Sequence, residues 1–133
     1  MVESLMKGNA SSNASPGVDI ESLDAVPMGN ATFVERNFTP AEIAYCRKAA
    51  SPQASFTGKW SAKEAVFKSL KVEGRGAGAP LREIEIGNDG TGAPTVTLHG
   101  DAKAAADKAG VKATTVSISH SDAQVIAVAI SSF

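Results

Sequence analysis

Cysteine occurs once in this chain of 133 residues, at Cys46. A lone thiol builds no disulfide framework within the chain and fits a reducing compartment. In its setting Cys46 reads as an ordinary half-buried helix residue rather than a nucleophile. Neither sign of charge is in excess: 13 Lys and Arg stand against 14 Asp and Glu, a formal net charge of −1. That excludes a broad basic surface for nucleic acid, so any bound polyanion must meet a local cluster of positive charge. No apolar run approaches the length of a membrane span, and the N-terminus lacks the apolar core of a signal peptide. The chain is therefore expected in the cytoplasm and away from membranes. Without an export signal, the Asn-x-Ser/Thr matches at Asn9, Asn13, Asn30 and Asn37 are chance. No internal repeat is visible.

What is present is the composition of a globular domain, 43% hydrophobic and 20% charged, at a length that suits one core. Residues 1–16, "MVESLMKGNASSNASP", are small and polar, and read as a linker or arm, the mark of a piece of a longer chain. The domain proper is expected over residues 17–133. "GVDIES" (Gly17 to Ser22) opens it as a short strand. Thr39 and Pro40 supply an N-cap and a first-turn proline for "AEIAYCRKAA", where Glu42 completes a capping box. Ser51-Pro52 starts a longer helix running to about Lys71, with Gly58 its weak point. On it Phe56, Trp60, Lys63, Phe67 and Leu70 recur at helical spacing, and most of that line should be core.

"VEGRGAGAP" (Val72 to Pro80) is a loop. "REIEIG" and "PTVTLH" follow as a hairpin joined by "NDGTGA". "GDAKAAADKAG" is a short helix stopped by Gly110. "TTVSISHSDAQVIAVAIS" reads as two strands around a turn near Ser121-Asp122, the last strand apolar on both faces and therefore central. The class is α+β, a mostly antiparallel sheet with helices packed on one face.

The stretch "KWSAKEAVFKSL", Lys59 to Leu70, carries the chemical question. Glu64 and Lys68 lie four apart, as do Trp60 and Glu64, so all three share one helix face. A solvated Glu–Lys pair would explain the spacing, but Lys63 and Lys71 crowd the same helix and make a cationic cluster beside an acid. Such a cluster can hold phosphates while the acid holds the metal that bridges them. Asp19 and Glu21 flank Ile20, which in an extended strand turns both carboxylates to one side. A divalent cation would relieve their repulsion, and magnesium suits sites completed by substrate phosphates. The other reading of this pair is two solvated acids at a strand end. His120 ends a hydroxyl-rich strand, where a structural hydrogen-bonding role is the common one; His99 suggests no role. "GRGAG" (Gly74 to Gly78) follows a helix and leads to a strand, the reverse of a dinucleotide fingerprint, though Arg75 could still reach a phosphate.

"GVDIES", "WSAKEAVFKSL" and "SISHS" resemble, in that order, the three signatures of the phosphopantetheinyl transferases. "FVERNFTPAEIAYC" (Phe33 to Cys46) adds a match to the holo-acyl-carrier-protein synthase branch, and the resemblance runs from about Gly17 to Ile130. Within the branch the wording is similar to the domain at the C-terminal end of fungal fatty acid synthases. The resemblance implies that phosphopantetheine passes from coenzyme A to a serine of an acyl carrier protein, with magnesium as cofactor. It maps metal ligands onto Asp19 and Glu64, with Glu21 as a third acid, and a phosphate-contacting lysine onto Lys68. Asp19, Glu64 and Lys68 are the implied catalytic residues. Ser119 and His120 fall in the segment that touches the nucleotide end of coenzyme A. The full contact set is expected to include Ile20, Lys71, Arg75 and Ile118. It also implies a homotrimer with sites between subunits. The competing reading is an idle structural or coenzyme A-binding domain of a multidomain synthase.

Overall fold

The computed structural model describes residues 13–72 and 81–133. The elements in order are β1 (Ala14–Ser22), α1 (Ala31–Asn37), α2 (Pro40–Lys48), α3 (Pro52–Ser69) and a 3-10 turn (Leu81–Glu83). After them come β2 (Ile84–Asn88), β3 (Pro94–Leu98), α4 (Gly100–Ala109), β4 (Ala113–His120) and β5 (Gln124–Ser132). Every strand pair is antiparallel, in a three-stranded sheet ordered β1-β5-β4 and a separate β2-β3 hairpin. The α+β class with antiparallel strands is the one expected.

The long helix α3 lies across the inner face of the larger sheet, and small residues let it come close. Val125, Ala127, Ala129 and Ser131 alternate inward along β5 and are fully buried beneath it. At Gly17 in β1 an added Cβ would run into the Ala65 carbonyl oxygen and the Ser69 amide of α3. Only glycine admits that approach, and it fixes the height at which β1 presents its next inward residue, Asp19.

A second set of contacts ties α3 to the hairpin and to α2. Thr39 caps α2 and forms the expected capping box with Glu42. Glu42 also accepts from the Ile86 amide at 2.7 Å and from Lys63 Nζ at 2.8 Å. Lys63 donates further to the carbonyls of Leu81 and Ile84, at 3.1 and 2.6 Å. Its side chain is 0% exposed and that of Glu42 1%. Lys63 thus belongs to the core side of its helical line and not to a phosphate-facing cluster, which corrects one half of the reading above.

Other differences are local. β1 starts at Ala14 rather than Gly17, and α3 ends at Ser69 rather than near Lys71. Helix α1 was not foreseen, although Asn30 is a regular N-cap accepting from the Phe33 amide at 3.0 Å. β5 is central as expected, yet only its inner side is covered. On the outer side Ile126, Val128 and Ile130 are 39–48% exposed, alongside Val18 at 50% and Ile20 at 57%.

Candidate active site

Asp19 points from β1 toward α3 and is 9% exposed. Ser61 Oγ donates to Asp19 Oδ2 at 3.0 Å, and Lys68 Nζ approaches Oδ1 at 3.3 Å while donating to the Val18 carbonyl at 3.0 Å. Residues 61, 64 and 68 share one helical face, so a hydroxyl, a carboxylate and an amine all meet the same strand. Ser61 was missed in the sequence; its place three residues before Glu64 was the signal that could have found it.

Three carboxylates crowd at this edge. Burial, the hydrogen bond and charge of Asp19, and the charge of Glu64 together push Glu21 up to about 7, against a weaker lowering by its hydrogen bond with Trp60. Burial and the charge of Asp19 also raise Glu64 above the usual carboxylate range, while Lys68 opposes the shift. The cause is physical: acids in a half-dry corner repel, and with one ammonium for company a proton is the remaining means of relief. A divalent cation would relieve the same repulsion, so the donor set fits magnesium. Among the described residues no group of three His, Cys, Asp or Glu side chains is gathered tightly enough to hold a metal on its own. Magnesium characteristically takes one or two carboxylates and completes its shell with water and substrate phosphates, which agrees with that openness.

On the opposite flank of α3 lies a cavity of about 460 Å³ lined by Gly58, Lys59, Asn88, Pro94, Ile118 and His120, among others. Lys59 is 4% exposed, yet its Nζ bonds the Ile86 carbonyl at 2.6 Å and Asn88 Oδ1 at 2.8 Å. The ammonium also sits 4.5 Å from the centre of the Tyr45 ring. Burial lowers its pKa. Asn88 in turn donates to the Gly92 carbonyl at 3.0 Å, pinning the β2–β3 turn at the rim. Lys59, Asn88 and Tyr45 were not singled out in the sequence, where nothing distinguishes them from surface residues.

Of the residues expected at a site, Asp19, Glu21, Glu64 and Lys68 come together at the β1 edge of α3. Ile118 and His120 line the cavity on the β4 edge. Ile20 and Ser119 turn to the outer side of the sheet, where both are exposed. Lys71 follows α3 in the left-handed region at φ 53° and borders a separate hollow with Asn13, Ala109 and Phe133. Arg75 lies outside the described residues.

The family model described as "4'-phosphopantetheinyl transferase superfamily" matches residues 15–129, a span that holds both flanks of α3. The chain belongs to that superfamily. Membership makes it a phosphopantetheinyl transferase, an enzyme class. It is 65% identical over 111 residues to fatty acid synthase subunit alpha of Penicillium patulum, covering 84% of this chain and 6% of the relative. The chain therefore spans a small part of such subunits. Its fold matches the holo-[acyl-carrier-protein] synthase of Helicobacter pylori solved with coenzyme A, at TM-score 0.71 and 30% identity over 87% of this chain and 98% of that one. It also matches the holo-ACP-synthase of Plasmodium yoelii, at TM-score 0.73 and 27% identity over 90% and 97% of the two chains.

Proposed function

We propose that this domain transfers phosphopantetheine from coenzyme A to a serine hydroxyl of an acyl carrier domain of a fatty acid synthase, in the cytoplasm and with magnesium. Coenzyme A is bound by the Helicobacter pylori relative, and the carrier protein is named in that relative's activity. The observation that carries the reading is the β1 edge of α3, where Ser61 and Lys68 hold Asp19 among acids raised by burial and by their neighbours' charge. Such a corner asks for a cation, and a pyrophosphate arriving with its metal brings one.

Asp19 and Glu64 would hold magnesium, with Glu21 as third acid. Bound there, the ion would offset phosphate charge and favour departure of adenosine bisphosphate. Lys68, half-exposed and anchored by the Val18 carbonyl, stands where an amine can meet a phosphate oxygen entering from solvent. Glu64, raised above its ordinary value, and Glu21, pushed up to about 7, are placed to take up the serine proton. The apolar wall at Ile118, with Lys59, Asn88 and His120 at the rim, suits the nucleotide end of coenzyme A.

The two flanks support a site shared between copies. Glu21 pairs with Val125 and Val125 with His120, so acid and imidazole stand on strands roughly 10 Å apart, two strand spacings. Helix α3 rises over that row and separates them within one chain. A solvated sheet face is ordinarily polar, whereas Val18, Ile20, Ile126, Val128 and Ile130 make this outer face apolar. Covering it with further copies, in a cyclic trimer, would bring His120 of one copy to the acids of the next.

Incubation with coenzyme A, magnesium and an apo carrier should add the mass of phosphopantetheine to the carrier, and omitting magnesium should prevent it. An unmodified carrier in the complete mixture would leave the idle coenzyme A-binding domain as the reading. Subunit exchange between Asp19→Ala and His120→Ala chains should restore part of the activity. No recovery after confirmed exchange would refute the shared site.

A further inference from the structure

Two fully buried serines lie on α3, and their hydroxyls serve different partners. Ser69 Oγ donates to the Val66 carbonyl of its own helix at 2.7 Å and meets Ser131 Oγ at 2.8 Å. That is the common habit of a helical hydroxyl, which returns to the preceding turn. Ser61 Oγ leaves its helix instead. It reaches β1, 3.2 Å from the Asp19 carbonyl oxygen and 3.0 Å from Asp19 Oδ2. Alanine is the better helix former and needs less room, and α3 carries it close by at Ala62 and Ala65. Helix formation therefore gives no reason for a hydroxyl at position 61.

Its use lies in the carboxylate. The terminal torsion of an aspartate is soft, and an unheld carboxylate swings through a broad range. With Oδ2 tied to the buried Ser61, Oδ1 is the oxygen turned toward Lys68 Nζ, at 3.3 Å, on a side chain that is half exposed. We infer that Ser61 is a positioning residue, a buried hydroxyl that holds the Asp19 carboxylate with Oδ1 toward the open edge of the site. A cation arriving from that side meets an oxygen already in place. The inference rests on the magnesium-dependent transfer proposed above and adds the group that orients Asp19 for it.

Trp60, the single tryptophan of the chain, hydrogen-bonds Glu21 in the same corner. Its fluorescence can therefore report on the acids without turnover. Magnesium is titrated into wild type, Ser61→Ala, Ser61→Cys and Ser69→Ala, each saturated with coenzyme A and without a carrier. Trp60 emission and calorimetry follow binding, and thermal melting checks the fold. Ser61→Ala should weaken magnesium by about tenfold or more, the scale for removing a group that supports a metal ligand. Carrier modification by this variant should recover largely at saturating magnesium. Ser61→Cys, close in size and a weaker donor, should fall between Ser61→Ala and wild type. Ser69→Ala should keep wild-type magnesium affinity whatever its thermal midpoint. Unchanged affinity in a folded Ser61→Ala chain would make the hydroxyl structural and overturn the inference, while the transferase reading stood. An equal loss in Ser69→Ala would overturn it too, as a general loosening of α3. Should Ser61→Ala not fold, Ser61→Cys decides by the same measure. Wild type that neither responds to magnesium nor modifies the carrier would overturn both readings.

Discussion

Helix α3 carries two lysine–carboxylate pairs, Lys63 with Glu42 and Lys68 with Asp19, and the same chemistry serves different ends in each. Lys63 and Glu42 are 0% and 1% exposed, 2.8 Å apart, and every polar atom of the pair has further backbone partners. Lys68 is 51% exposed, its contact with Asp19 is 3.3 Å, and the carboxylates around it are raised rather than satisfied. A closed pair holds three elements together; an open pair is able to exchange partners with a substrate. Residue type and helical spacing do not separate the two. Depth and the completeness of hydrogen bonding do.

The comparison breaks most severely at the closed pair. Lys63→Ala leaves Glu42 buried without its ammonium and should cost about 3–5 kcal/mol, enough to unfold much of the protein. Denaturant titration would read the loss, and any fall in activity should follow the folded fraction. Removing the open partner should act in the opposite way. Lys68→Ala should change stability by no more than about 1 kcal/mol, because half-exposed pairs contribute little. Turnover should fall by roughly 10²–10³, the scale of one preorganised donor. A parallel loss in both measurements would erase the distinction between the pairs.

The acid corner should also show in the pH dependence of stability. Glu21 is raised from 4.5 to about 7 in the folded chain, so between those values the folded state binds more protons than the unfolded. Its contribution is then fully present below pH 4.5 and is lost as pH rises through 7. Thermal midpoints should fall across that window, and Glu21→Gln should flatten the fall. The smallest effect is expected at Lys71. Lys71→Gly should stabilise by about 1 kcal/mol by relieving a left-handed backbone, with activity changing only modestly.

Much of this was legible in the sequence because local rules and burial agree in most elements. The Thr39–Glu42 capping box, the turn before β5 and the Gly110 stop appear as their residues indicate. Spacing put Glu64 and Lys68 on one helical face and Asp19 on a strand, and it was the family resemblance that implied the two meet. What stayed hidden depends on depth across the fold. Lys63 sits one residue from Glu64, yet the rotation of a single helical position takes it into the core. Lys59 and Asn88 meet only because the hairpin folds back on α3, and no spacing within either segment encodes that. The strand β5 read as apolar on both faces and central, but hydropathy cannot say whether a neighbour or another copy covers the outer face.

The most direct test of the account is Glu64→Gln, which keeps the shape of a helix residue on the open side and removes its charge. Carrier mass after incubation with coenzyme A and magnesium should show complete modification by wild type and none by the variant. The circular dichroism spectrum and thermal midpoint should match wild type or exceed it, because a repelled acid has been removed. Near-normal modification at limiting magnesium by a folded Glu64→Gln chain would contradict the central claim, that the open face of α3 is the catalytic one.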